Sequence, residues 1–231
     1  MSVKPLYNFS GVPQLILKRT QHNETCFFVD KDYMKYLELV HQYAEKFHCH
    51  IHAYAIMPDH IYLLATSYSD QGIPQMMQST GKAYADYVSK TYAITETLWK
   101  AGYKSCVIES EQYLFQCMQY IESAPLRAAL VAKPDEYCWS SYRYNALIND
   151  SSIITPHTLY MALEFSDSQR LYGYQKLQNT VLDEQIKNDI TVALSKEGVL
   201  GSEVFKETIR QKIPLAVIEN NDQWTDCVMF Y

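Results

Sequence analysis

Ile51-His52-Ala53-Tyr54-Ala55-Ile56-Met57-Pro58-Asp59-His60-Ile61-Tyr62-Leu63-Leu64-Ala65 is the stretch that decides the fold. Two runs of strand-forming residues flank Pro58-Asp59, which predicts a tight turn and a β-hairpin with strands over 51–57 and 60–65. A turn at that point pairs residues whose numbers add to 117, setting Ala55 opposite Tyr62 on one face and His52 on the other, unless a one-residue bulge intervenes. Residues two apart on a strand share a face. A His-apolar-His triplet would therefore direct two imidazoles at one cation, but this chain supplies His60 and then Tyr62.

Upstream, residues 12–18 read as a strand, and Asp30 stands as N-cap to a helix over about 31–47, with apolar or aromatic side chains at 33, 36, 37, 40, 43, 44 and 47. Downstream, Pro74 opens a second helix to about 92, with Met77, Tyr84, Tyr87 and Val88 on one side. A fourth strand follows over 103–108. Ser110 then caps a third helix over 111–123, which Pro125 is expected to end. The order βαββαβα predicts an α+β fold, a ferredoxin-like antiparallel sheet with helices packed on it, over residues 10–147. Beyond 149–152 the strand signals fade. Helix starts at Thr155-Pro156, Ser166, Asp183 and Ser202, with Gly198 and Gly201 as stops, predict a small C-terminal helical region over 155–213. Residues 214–231 show no readable period.

With 231 residues, 48% of them hydrophobic, the chain can bury one substantial core without metals or disulfides. The six cysteines, Cys26, Cys49, Cys106, Cys117, Cys138 and Cys227, contain no Cys-x-x-Cys pair, so buried thiols are expected rather than a disulfide framework or a zinc ribbon. No apolar run is long enough to span a bilayer and the start lacks a signal-like stretch, so the expectation is a cytoplasmic protein with no membrane partner. Net charge is −6, against a nucleic-acid partner at first sight. The acidity is uneven, however: residues 1–147 hold 13 Lys+Arg against 14 Asp+Glu, and residues 148–231 hold 7 against 12. The first part can still present one basic face.

A second fragment, Tyr113-Leu-Phe-Gln-Cys-Met-Gln-Tyr120-Ile-Glu-Ser-Ala-Pro-Leu-Arg127, sets Tyr120 on the third helix. Together with Gly11-Val12-Pro13, His52-Ala53-Tyr54, Met57-Pro58-Asp59-His60, Leu98-Trp99, Lys104-Ser105, Pro125-Leu126-Arg127-Ala128 and Trp139-Ser140-Ser141-Tyr142, it gives the chain its likeness. Over about residues 10–147 the sequence resembles the single-tyrosine HUH transposases, in particular the REP-associated tyrosine transposase branch. The C-terminal region is similar to the extension of longer members through Thr155-Pro156-His157 and Leu200-Gly201-Ser202.

The resemblance implies a protein that acts on single-stranded or hairpin DNA. In that family a Mg²⁺ or Mn²⁺ ion, held by two histidines and an amide one turn after the tyrosine, polarises a scissile phosphate. The tyrosine attacks it, leaving a 5′-phosphotyrosine link that conserves the energy for rejoining. By this resemblance Tyr120 is the nucleophile, His60 the first metal ligand and Tyr62 the degenerate second position. Lys18, Arg19, Trp99, Lys100, Lys104, Arg127 and Arg143 are expected as DNA contacts, the lysines and arginines on phosphates and the tryptophan on bases. A monomer or a homodimer is implied.

The departures are specific. Tyr62 replaces a histidine, Ala124 replaces the amide four residues after Tyr120, and Lys100-Ala101 stand where an acidic residue and glycine lead to a lost arginine in the Trp-Glu-Gly-Arg pattern. Two of three protein ligands are missing, so the cation is expected only if the chain is active. Ser123 and Gln116, near the face of Tyr120, could offer an oxygen. Each feature also has a plainer meaning: 20 tyrosines make a helical Tyr ordinary core, the tryptophans pack, and the cations are solvated surface. His48, His50 and His52 alternate and could form a transition-metal face, or simply end a helix and begin a strand. Three functions stay open: an attenuated nicking and rejoining enzyme, a domesticated DNA-binding module without cleavage, and a protein-interaction role for the acidic helices.

Overall fold

The computed structural model describes residues 9–69, 71–147 and 151–212. The expected tail at 214–231 lies outside the described residues. Strand β1 (Pro13–Arg19) leads to helix α1 (Asp30–Lys46), the hairpin β2 (Cys49–Ile56) and β3 (His60–Ser67), helix α2 (Gly72–Tyr92), strand β4 (Lys104–Ile108) and helix α3 (Ser110–Glu122). The βαββαβα order is as expected. Asp30, expected as N-cap, is the first helical residue of α1; Asp32 does the capping instead, its carboxylate accepting from the backbone N–H groups of Phe28 and Val29 at 2.8 and 3.0 Å.

The sheet runs β2-β3-β1-β4 antiparallel, the ferredoxin-like order. In the hairpin Ala55 pairs with Tyr62 and Ile56 with Ile61, as the turn at Pro58-Asp59 requires. The register then slips by one between Ile51 and Ala53. That bulge overturns the expectation for His52. Its ring now bonds Thr66 Oγ1 at 2.9 Å on the Tyr62 side of the sheet, with its other nitrogen 2.7 Å from the Thr155 carbonyl oxygen.

One sheet face, bearing Ile16, Ile51, Tyr54, Ile56, Ile61 and Leu63, is buried under α1 and α2. The other, bearing Leu15, Leu17, Ala53, Ala55, Tyr62 and Leu64, is buried under α3 and the C-terminal part of the chain. Helix α3 ends at Glu122, ahead of Pro125 as expected, and Pro125 itself begins a further turn. After Ser123 it sits in the first turn of a short helix α4 (Ala124–Arg127), where a missing N–H costs nothing.

The C-terminal region contains α5 (Thr158–Met161), α6 (Asp167–Gln178), α7 (Glu184–Lys196) and α8 (Glu203–Gln211). The starts read at Ser166, Asp183 and Ser202 are N-caps whose side chains accept from Gln169, Gln185 and Phe205 N–H groups. The region is not purely helical. Val199–Leu200, between the two glycines read as stops, forms strand β5, parallel to β4. Gly201 permits this approach, since a Cβ there would come within 2.9 Å of Glu109 Cβ. Glu109 in turn accepts from the backbone N–H and hydroxyl of Ser202. Tyr160, Tyr174, Leu182, Ile190, Ala193, Leu194 and Leu200 join the same hydrophobic cluster as Tyr62, Leu64 and Tyr120. The β4 edge is thus covered by β5, and Ser140, Ser141 and Thr155 line the outer side of β2.

Four of the five described cysteines, Cys26, Cys49, Cys106 and Cys117, are buried free thiols. Cys138 is exposed, against expectation. No helix among the described residues is long and apolar enough to cross a membrane.

Candidate active site

The geometry of β3 and α3 brings His60, Tyr62 and Tyr120 together. His60 and Tyr62 are two apart on β3 and stand edge to face, ring centroids 5.0 Å apart. The Tyr62 ring meets that of Tyr120 edge-on at 5.7 Å. Arg127, one helical turn beyond α3, folds back so that its guanidinium carbon lies 4.2 Å from the centre of the Tyr120 ring. Its Nη1 donates to the Tyr120 carbonyl and to Ser123 Oγ, both at 2.6 Å. Arg19 arrives from β1 directly opposite His60 in the ladder, on the face of Leu15 and Leu17.

The electrostatics follow from burial and from the two guanidinium groups. Burial lowers the pKa of His60; Asp59, whose carboxylate sits 2.7 Å from Nδ1, opposes this, and the charges of Arg19 and Arg127 reinforce it. Burial raises the Tyr62 phenol above its usual value, and the adjacent Tyr120 phenol adds to that, while Arg19 and Arg127 pull it back. Arg127 keeps outer atoms in solvent, yet packing on Tyr120 strips water from its charge and lowers its pKa, with the two phenols opposing. Tyr120 is 9% exposed and its hydroxyl lies 3.3 Å from Thr191 Oγ1 on α7.

The donor set does not fit a divalent cation. Mg²⁺ and Mn²⁺ favour several ionised or carbonyl oxygens, whereas Tyr62 is held protonated, position 124 offers a buried methyl group, and two fixed positive charges bear on the spot. Among the described residues no three His, Cys, Asp or Glu side chains gather as a metal site. That also removes the His48-His50-His52 alternative: His50 packs on Tyr68, and His52, pushed down to about 3 by burial, is a neutral buried ring. Ser123 gives its hydroxyl proton to the Gln119 carbonyl.

The other residues marked from sequence scatter. Lys18 is buried at 9% exposure, donating to the carbonyls of Lys100 and Gly102, and burial lowers its pKa to about 8. Trp99 is 8% exposed, packed against Tyr36 and Tyr84 with its N–H on the Gly81 carbonyl. Both are interior residues. Lys100 and Lys104 are on the surface, reaching Asn23 Oδ1 and the Ser195 carbonyl, and Arg143 lies beside Cys138.

Sequence reasoning missed Glu122, two residues past Tyr120 and wholly buried. Its carboxylate accepts from Ser141 Oγ and Asn145 Nδ2 at 2.6 and 2.8 Å on one oxygen, and from the Tyr174 hydroxyl and Gln178 Nε2 at 2.7 and 3.1 Å on the other. The end of α3 is thereby tied to α6 and to the segment before it. Burial pushes this carboxyl up to about 7, with the donors from Ser141, Asn145 and Tyr174 restraining the rise. A glutamate in an otherwise apolar helix turn was the available signal.

Comparisons with known proteins agree with this frame. A solved REP-associated tyrosine transposase bound to a REP hairpin is 12% identical, with a TM-score of 0.53 over 68% of this chain and 93% of that one, a likeness of fold. A structure from Deinococcus radiodurans R1, 19% identical over 53% of this chain and 97% of that one, has a TM-score of 0.37, too low to argue from. No curated protein matches the chain. The family model described as IS200-like transposase matches residues 16–124, which run from β1 through His60, Tyr62 and Tyr120 to the start of α4. Over those residues the chain is similar to the IS200-like transposases.

Proposed function

We propose that this protein binds single-stranded or hairpin DNA over the face where Arg19, His60, Tyr62, Tyr120 and Arg127 converge, and that the strand-cleaving chemistry of its family is attenuated. The carrying observation is the chain of ring contacts from His60 through Tyr62 to Tyr120, which brings the two sequence fragments into one cluster with Arg127 against it. The solved transposase bound to a REP hairpin supports DNA hairpins as the ligand class. Attenuation follows from the donor set: the residues at positions 62 and 124 do not supply the ligands a divalent cation needs, and the Tyr120 hydroxyl is engaged by Thr191. On this reading Lys100, Lys104 and Arg143 are peripheral phosphate contacts.

The test is incubation with labelled single-stranded hairpins, with chelator or with Mn²⁺, read on native and denaturing gels. The expected result is a salt-sensitive shift in both conditions and little or no protein-sized labelled band under denaturation. Abundant Mn²⁺-dependent adduct, abolished by Tyr120→Phe, would establish the alternative of a working nicking enzyme. Absence of any shift at moderate salt would reject a DNA role.

A further inference from the structure

Arg19 and Arg127 reach the same place from different elements. Arg19 lies across the β1–β3 ladder from His60, and Arg127 lies on the Tyr120 ring. His60 meets Tyr62, and Tyr62 meets Tyr120, so both arginines lie along one run of side chains on the same sheet face. Neither arginine forms an ion pair among the described residues. Arg19 is half-buried and its guanidinium makes no hydrogen bond among them; Arg127 spends Nη1 within its own helical turn, leaving Nε and Nη2. The nearby carboxylate, Asp59, is engaged by His60 Nδ1.

Two guanidinium groups on one face, neither in an ion pair, favour the approach of an anion. The planar fork of arginine matches phosphate oxygens in pairs. We infer that the site grips a phosphodiester oxyanion directly, through Arg19 and Arg127, in the place where its family uses a divalent cation. Positive charge comes from the protein, so binding needs no metal, and the loss of the ligands at positions 62 and 124 leaves recognition intact. This rests on the DNA reading above for its biological ligand, while the anion site itself can be tested apart from it.

The experiment uses the full chain in EDTA, with nitrogen-15-labelled arginine, titrated with inorganic phosphate at constant ionic strength. The side-chain resonances of Arg19 and Arg127 are expected to shift together and saturably, with no change when Mg²⁺ replaces EDTA. Arg19→Gln should weaken the response of Arg127 about tenfold, the worth of one charge-assisted bond, and Arg19→Lys should restore part of it. Circular dichroism melting confirms that each variant is folded. No saturable shift, a shift that requires Mg²⁺ or Mn²⁺, or an equal response to acetate overturns the inference. A second arm measures hairpin DNA binding against salt: each Arg→Gln change should reduce the slope of log K on log salt by about 0.7–0.9. Phosphate binding without DNA binding leaves the anion site standing and defeats the DNA reading. DNA binding with both slopes unchanged does the reverse.

Discussion

The hydroxyl of Thr191 on α7 and the phenol of Tyr120 on α3 face each other at 3.3 Å, and the Thr191 proton is already committed to the Lys187 carbonyl at 2.8 Å. Tyr120 is then the donor to Thr191. Helix α7 thereby engages the hydroxyl of the candidate nucleophile.

Thr191→Val removes that acceptor. At 3.3 Å the bond is long, and its loss should change stability by less than about 1 kcal/mol. Reactivity should change more. Nitration of Tyr120 by tetranitromethane, followed by peptide mass spectrometry, is expected to quicken severalfold in the variant, and an unchanged rate would show that Thr191 does not restrain the phenol.

Glu122 should dominate the stability of the join between α3 and α6. Glu122→Leu leaves four donors unpaired, at a cost of roughly 3–5 kcal/mol, read by urea unfolding. Glu122→Gln keeps the shape but turns one pair of donors against an amide N–H₂, and should cost about 1–3 kcal/mol.

The same carboxyl predicts a pH dependence. Its folded pKa is raised from 4.5 to about 7, so the protonated form is the one that folding favours. The stabilisation is complete below the unfolded value and is lost as pH rises through the folded value. Wild type should therefore lose stability between about pH 4.5 and 7 relative to Glu122→Gln, by an amount on the order of 3 kcal/mol. Parallel curves for the two proteins over that window would refute it.

Lys18 and Trp99, although they read as DNA contacts, should behave as interior residues. Lys18→Ala strands the carbonyls of Lys100 and Gly102 and should cost about 1–3 kcal/mol; Trp99→Ala should cost about 3–5 kcal/mol. Lys100→Ala, on the surface, should leave the melting temperature nearly unmoved.

What could be read in advance was what local chemistry dictates. The Pro58-Asp59 turn fixed the pairing of Ala55 with Tyr62, and the helix periods placed α1, α2 and α3 within two residues of their ends. The bulge at His52 was not readable, because it answers to Thr66 and to Thr155, a residue 103 positions away. Nor was β5, whose two residues become a strand only because β4 presents an open edge. Lys18 misled for a related reason: alternation along β1 says which face it takes, but not that the 100–102 loop returns to cover it. That Arg19 and Arg127 lie on the same sheet face needed the fold.

The pairing of Val199–Leu200 with β4 also decides how this chain can be divided. A chain ending at residue 147 would present the Val107–Ile108 edge bare, together with the apolar faces of Leu114, Cys117 and Ile121 that α6 and α7 now roof. Such a fragment would recruit other chains through that seam. The last third is therefore a keel rather than cargo, and truncation should yield sticky material instead of a smaller working protein.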